Sequence, residues 1–212
     1  MAVTLSTYIT QVRRLLHDAN GNFWSNAELT DDINAARQRL VRDTGCNRIL
    51  QTMDTVTDQE LYNFSDLPQG ENTVDIININ VIWGNTRIPQ RYMSWTQFNS
   101  ELRFWENYSG RPIAYTLYGP QQFYLAPTPD EVYQMEIDTV VMPADLVNLN
   151  DVETLSSIWV GPVQFYAAYL AKYKEQSYGE AELFKSEYLK QAQSVIASTF
   201  TRRMPNPYST AY

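Results

Sequence analysis

The sequence predicts a mixed α+β protein: a helical body built from both ends of the chain, a β-rich insertion between them, and an extended C-terminal tail. Apolar residues recur at helical spacing before about residue 46 and again after about residue 150. Between these stretches the helical period vanishes, and Thr, Val, Ile and Tyr fall in short runs broken by Pro, Gly, Asn and Asp. Pro205 and Pro207 then bar a helix at the start of the last segment. The implied division is 1–46 plus 147–203 for the body, 47–146 for the insertion and 204–212 for the tail. A chain of 212 residues has room for one well-filled core with a small appended subdomain.

Each element follows from local chemistry. Leu5, Tyr8, Ile9, Val12, Leu15 and Leu16 share one helical face, so a helix is expected over about 4–18, with Thr4 as its N-cap and Asn20-Gly21 as its stop. The segment Phe23-Trp24-Ser25-Asn26-Ala27-Glu28-Leu29 starts a second helix. Ser25 and Glu28 have capping-box spacing, and Trp24 and Leu29 are placed to staple around the cap. Leu29, Ile33, Ala36 and Leu40 form its apolar stripe, and Gly45 supplies the left-handed position that ends it. Two helices joined by a short Gly-containing turn should pack as an antiparallel hairpin.

In the insertion, strands are expected at Leu50–Thr57, Val74–Val81, Ile113–Tyr118, Gln122–Ala126 and Tyr133–Val140. Gly119-Pro120 marks one hairpin, and Pro127-Thr128-Pro129-Asp130 is read as another. Trp95, Phe98, Leu102 and Trp105 are spaced for a short helix over about 95–108. After Leu149-Asn150-Asp151 the helical period returns, with Val163, Tyr166, Ala167 and Leu170 on one stripe and Pro162 tolerable in a first turn. Tyr178-Gly179 reads as a break. Ala181, Phe184, Tyr188, Ala192, Val195 and Thr199 then continue a final long helix.

Composition narrows the functional classes. No apolar run approaches the roughly 18–20 residues of a membrane span, and the opening Met1-Ala2-Val3-Thr4-Leu5 has no secretory pattern, so a soluble protein kept in the host cytoplasm until assembly is expected. Cys46 is the only cysteine and His17 the only histidine, which excludes an internal disulfide, a thiolate cluster and a His-rich metal site. Cys46 reads as a small, half-buried residue near a helix end, and His17 as a residue near a helix C-terminus, where a cation is favourable. A net charge of −8 argues against a stable grip on DNA phosphates, yet suits a wall past which DNA slides. No Gly-rich phosphate loop is present. Acidic pairs such as Asp31-Asp32 and Asp130-Glu131 could in principle supply a general acid and base. Neighbours in sequence do not by themselves share a cleft, and Asp31-Asp32 suits a helix's first turns, so no enzyme and no cofactor are expected.

In order and spacing these segments resemble the phage head-to-tail adaptor family, whose members form a ring under the portal in short-tailed and some other tailed phages. The resemblance is carried by the Leu5–Leu16 helix and by Phe23-Trp24-Ser25-Asn26-Ala27-Glu28-Leu29 leading into Ile33-Asn34-Ala35-Ala36. It continues from Arg111-Pro112 through Tyr118-Gly119-Pro120 to Leu125-Ala126-Pro127-Thr128-Pro129-Asp130, and from Val132-Tyr133 to Met142-Pro143-Ala144-Asp145-Leu146. The resemblance implies a structural protein of the virion's head-tail junction. It also implies a ring of twelve copies, portal and tail or nozzle proteins as partners, DNA passing through without specific binding, and a C-terminal segment that docks on the portal.

Two sets of residues are candidates for those contacts. Arg202, Arg203, Met204, Pro205, Pro207, Tyr208 and Tyr212 form a locally basic, pre-extended tail suited to ordering on a partner such as the portal. Tyr169 and Tyr173 lie off the helical stripes and are candidates for the ring interface. Trp24, Ser25, Glu28 and Leu29 are read as a helix start. The rival function is a carbohydrate-binding tail module, motivated by an aromatic content of 13% and by the Trp and Tyr residues of the insertion.

Overall fold

The computed structural model describes residues 3–101 and 108–200. Its first helix, α1 (Leu5–Leu15), buries Leu5, Tyr8, Ile9 and Val12. Thr4 is the N-cap by backbone geometry, and its carbonyl accepts from the Tyr8 N–H at 3.1 Å. Its hydroxyl pairs with those of Ser6 and Thr7 instead of capping an N–H. The helix stops earlier than the Asn20-Gly21 punctuation suggests, because His17 already adopts a left-handed φ of 56° and Asp18 turns inward.

The second helix, α2 (Asn26–Thr44), begins at a complete capping box. The Ser25 hydroxyl accepts from the Glu28 N–H at 3.2 Å, and the Glu28 carboxylate accepts from the Ser25 N–H at 3.0 Å. Gly45, at φ 60°, closes its other end. Leu29, Ile33, Ala36 and Leu40 are buried along the expected stripe, together with Asp32, Arg37 and Val41.

Two further helices, α4 (Val160–Lys174) and α5 (Tyr178–Phe200), complete this unit. Small side chains on the buried face of α4, among them Ala167, Ala168 and Ala171, allow close approach, and the helix packs against α1, α2 and α5. Tyr166 and Leu170, expected on the buried stripe, are only half-buried. The break between the helices falls at residues 175–177, with Gln176 at φ 64°, so Tyr178 and Gly179 open α5 rather than interrupt it.

Residues 143–156 form a non-helical strap, which the sequence had partly assigned to the insertion. Asn34 brackets Leu146, its amide donating to the Leu146 carbonyl at 2.9 Å and its oxygen accepting from the Leu146 N–H at 3.0 Å. The strap also meets the start of α1: the Leu5 N–H donates to the Asp151 carbonyl and the Ser6 N–H to that of Leu149. Contacts divide the chain at Cys46/Asn47 and Met142/Pro143 into this helical unit and a β unit.

The β unit contains two four-stranded sheets. One has the order β1 (Arg48–Asp54), β8 (Gln134–Val141), β3 (Thr73–Trp83), β4 (Thr86–Pro89), and every pairing in it is antiparallel. The other has the order β2 (Leu61–Asn63), β7 (Gln122–Ala126), β6 (Ala114–Tyr118), β5 (Arg91–Tyr92), with β5 parallel to β6. A short helix, α3 (Trp95–Glu101), follows β5, and the remainder of the helix expected to 108 passes into residues outside those described. Gly119, at φ 63°, turns the β6–β7 hairpin as expected. The Pro127–Asp130 segment does not make a hairpin, because both edges of β7 are occupied by β2 and β6 and the chain crosses to the other sheet at β8.

The two sheets share one core, which includes Tyr62, Phe64, Ile79, Val81, Phe123, Leu125, Met135 and Ile137. Buried Gln51 is fully satisfied within it: its amide donates to the hydroxyls of Thr139 (2.8 Å) and Thr73 (3.1 Å), and its oxygen accepts from the Gln69 N–H at 2.8 Å. Gly70 sits so close to the preceding turn that a Cβ there would lie 1.9 Å from the Phe64 carbonyl oxygen. Because that obstacle is backbone, Gly70→Ala should destabilise the β unit by about 1–3 kcal/mol or more, read as a lower denaturation midpoint. An unchanged midpoint would show that the turn is looser than this packing implies.

Candidate functional site

The helical unit carries the features suited to docking, and each is set by a buried polar group. At the α1–α2 elbow the Asp18 carboxylate accepts from the backbone N–H groups of Asn22 (2.8 Å) and Trp24 (3.1 Å), and more weakly from that of Phe23. Arg13 pairs with Asp18 at 3.0 Å and reaches on to the Trp24 carbonyl at 2.7 Å and the Asn26 side chain at 2.9 Å. Burial would raise the Asp18 pKa, but the three N–H donors and Arg13 more than offset it, and the net shift is downward. The elbow is therefore locked, and it holds Phe23 out at 85% exposure. Phe23, half-buried Trp24, Leu16, His17, Lys172 and Glu175 line a cleft of about 300 Å³. Leu29, the expected staple partner of Trp24, is fully buried.

Tyr169 and Tyr173 belong to a continuous row of rings. Centroids run Tyr188 to Tyr166 at 4.9 Å, Tyr166 to Tyr169 at 5.3 Å, Tyr169 to Tyr173 at 5.8 Å and Tyr173 to Tyr178 at 5.3 Å. The row starts buried, where the Tyr188 hydroxyl donates to Asp43 at 2.7 Å, and ends exposed at Tyr173 and Tyr178. Tyr169 is half-buried with Lys185 above its face. The tail residues Arg202, Arg203, Met204, Pro205, Pro207, Tyr208 and Tyr212 lie outside the described residues.

The central polar contact of the helical unit has no local signature in the sequence. Arg37 and Glu153, with side chains 0% and 2% exposed, form a two-pronged ion pair at 2.8 Å and 2.8 Å. The Tyr8 hydroxyl donates to the same carboxylate at 2.8 Å and the Leu155 N–H donates at 3.0 Å, while Arg37 also donates to the Ala144 carbonyl and to Asn34. A lone Glu in a polar loop carries no periodic signal, and Arg37 reads as one more solvated position of α2.

The acid pairs do not assemble a catalytic cleft. Asp31 is exposed, whereas Asp32 is buried and its carboxylate meets Lys174 at 2.5 Å. Asp130 accepts from the Tyr133 hydroxyl at 2.8 Å. Among the described residues no group of three or more His, Cys, Asp or Glu side chains is placed to hold a metal ion. No described helix is long and apolar enough to cross a membrane. The insertion's aromatic cluster is turned on itself: Trp95 packs against Tyr118 at 4.3 Å and Tyr124 at 5.1 Å, and Phe98 beside them is buried. Phe98, with Trp95 and Tyr124 packed against it, belongs to a small core, while Tyr118 at its edge is 44% exposed.

A family model described as SU10 adaptor protein matches residues 3–210. The chain belongs to the SU10 adaptor protein family. No curated protein matches it. Membership makes the chain a structural head-to-tail adaptor of a phage, a component of the virion that associates with portal and tail proteins.

Glu153 gives the helical unit a testable pH signature. Burial alone would raise its pKa, but the hydrogen bonds from Arg37, Leu155 and Tyr8 and the charge of Arg37 bring it below the ordinary range. A carboxyl whose folded pKa is depressed contributes stability that is fully present above its unfolded value and is lost as pH falls through the folded one. Glu153→Gln strands a buried guanidinium and should cost about 3–5 kcal/mol at neutral pH. It should also flatten the loss of stability below about pH 4. A variant as stable as the parent, with the same acid limb in urea titrations, would show that the pair is incidental.

Proposed function

We propose that the protein works as a closed ring of identical subunits between portal and tail, continuing the channel through which DNA leaves the head. The family match over residues 3–210 carries this reading, because it spans both units and runs on into the C-terminal segment. A ring needs a heterologous contact, one face of each subunit meeting a different face of the next. The helical unit offers side chains for it in Tyr169 and Tyr173. Tilted and edge-on packing between neighbouring aromatic rings already restricts them, so little further entropy is lost when a partner covers the exposed end. A net charge of −8 fits a channel component that must not retain phosphates.

Portal docking is assigned to Arg202, Arg203, Met204, Pro205, Pro207, Tyr208 and Tyr212. Two prolines favour an extended conformation before binding, two arginines bring positive charge to an acidic protein, and the tyrosines and methionine supply apolar contact.

The test is light scattering after size exclusion on the full chain and on a version ending at Phe200, each alone and mixed with the cognate portal. The full chain should form a ring-sized complex with portal, and the shortened chain should bind at least roughly tenfold more weakly, a change of about 1.4 kcal/mol. A full-length protein that stays monomeric and ignores the portal would remove the ring reading. Equal binding by both lengths would remove only the assignment of the tail.

A further inference from the structure

The tyrosine row of α4 continues onto α5 as a strip of apolar surface. On α5, Tyr178, Lys185, Leu189 and Ile196 fall within about 40° of one another at 3.6 residues per turn, so they form one stripe. Two contacts set that stripe beside the row. The Tyr178 ring meets Tyr173 at 5.3 Å, and the Lys185 ammonium lies 5.8 Å from the centre of the Tyr169 ring. The stripe stays open along its length: Tyr178 is 58% and Leu189 47% exposed, and Ile196 is half-buried. Lys185 is already paired with Glu182 at 3.7 Å, so what the strip offers is rings and methyl groups rather than an unmatched charge.

The chain's own C-terminal segment has the length and the chemistry to cover it. From Ile196 back to Tyr178 the helix rises about 27 Å at 1.5 Å per residue. The helix ends at Phe200, one turn beyond Ile196, and residues 201–212 follow it directly. If Thr201, Arg202 and Arg203 reverse the chain, the segment Met204–Tyr212 extends about 28 Å at roughly 3.1 Å per residue in a polyproline conformation. That is the length of the strip. Pro205 and Pro207 favour this extended form, and segments of this kind are recognised by aromatic-lined surfaces. Covalent attachment raises the local concentration of the segment to the order of millimolar, so even a weak contact in the same subunit outcompetes one from a dilute second copy.

We propose that, before assembly, Met204–Tyr212 lies back along this strip of its own subunit. Met204 then sits beside Ile196, the two prolines run on to Leu189, and Tyr212 reaches Tyr173 and Tyr178. The consequence for assembly rests on the reading of the tail as the portal-docking segment and of Tyr169 and Tyr173 as ring interface. A tail held on the strip withholds both surfaces at once, and a portal that draws it away uncovers the row for the next subunit. Ring closure is in this way coupled to portal docking by a single segment.

The experiment is hydroxyl-radical footprinting read by mass spectrometry, without portal, on the full chain and on a version ending at Phe200, with light scattering reporting mass at each dilution. In the full chain Tyr173, Tyr178 and Leu189 should be oxidised about threefold more slowly than in the shortened one, as for a strip covered about two-thirds of the time. That protection should not change with dilution. Full-length Leu189→Asp should release the tail and bring Tyr173 and Tyr178 to the shortened-chain rate; the position is exposed, so its melting temperature should match the parent. Trp83, exposed in the β unit, should be oxidised equally in all three proteins. Equal rates along the strip in the full and shortened chains overturn the contact. Protection that vanishes on dilution gives the strip to another subunit's tail and overturns it too. If the footprint changes as expected but the shortened chain self-associates no more readily than the full one, the tail contact holds and the row is not the ring interface.

Discussion

Arg37 has no exposed side-chain surface, and four hydrogen bonds occupy its guanidinium: two to Glu153, one to the Ala144 carbonyl and one to Asn34. Such a pair is a weak source of net stability, because removing both charges from water costs about as much as their attraction returns. It acts instead as a constraint. A buried guanidinium missing one partner is so costly that the strap has one acceptable path across the helices, with Ala144 and Glu153 both against α2 and the Tyr8 hydroxyl of α1 completing the carboxylate's shell. Asn34, one turn before Arg37, then fixes Leu146, and through it the floor of the groove that the strap forms with α2. The geometry of that surface descends from a contact that no solvent-facing residue makes.

The helical unit holds a second buried acid in a different condition. Glu153 has its lone pairs filled from three directions and is held ionised. Asp32 is buried too, but one of its oxygens meets Lys174 while the other has no partner among the described residues, and burial leads the causes that raise its pKa. The linkage sign is opposite: an acid with a raised folded pKa opposes folding once pH rises through its ordinary range. The helical unit therefore carries one acid, on the strap, that fixes the fold and one, on α2, that the fold merely tolerates. The difference lies in the donors: Arg37 of α2, Tyr8 of α1 and the nearby Leu155 N–H all reach Glu153, while among the described residues only Lys174 reaches Asp32.

Those donors also mark the limit of what the sequence displays. The capping box at Ser25 and Glu28, the αL glycine at 45, the stripe of Leu29, Ile33, Ala36 and Leu40, and the strand Gln122–Ala126 are local patterns, complete within a few residues, and they were legible. The four helices around a β insertion followed from the change of period. Strands β2 and β5, of three and two residues, are too short for alternation to register. The crossing at Pro127–Asp130 was read as a hairpin because proline and aspartate announce a turn without saying which sheet receives the next strand. Asp18 and Glu153 were invisible as organisers because their meaning lies in N–H groups and a guanidinium brought to them by folding. Of the candidate contact residues, Tyr169 and Tyr173 were singled out for lying off the stripe, and it is the row they make with Tyr166 and Tyr178 that gives them shape. Phe23 passed unnoticed as a surface because its motif reads first as a helix start.

The insertion's two ends show how one chain can hold both units without conflict. Arg48 at the start of β1 pairs with Val140 near the end of β8, the Asn47 carbonyl accepts from the Val141 N–H at 3.0 Å, and the Asn47 amide donates to the Val141 carbonyl at 2.7 Å. The chain therefore leaves the helical unit and returns to it through two adjacent, hydrogen-bonded strands. An insertion clamped at its neck asks of its host only that Cys46 and Pro143 be close together, and it closes its own core between its own two sheets. The buried ion pair, the locked elbow and the tyrosine row all lie on the helical side of that neck. Change in the β unit's loops therefore leaves untouched the ion pair, the elbow and the tyrosine row, which are built from residues of the helical unit alone.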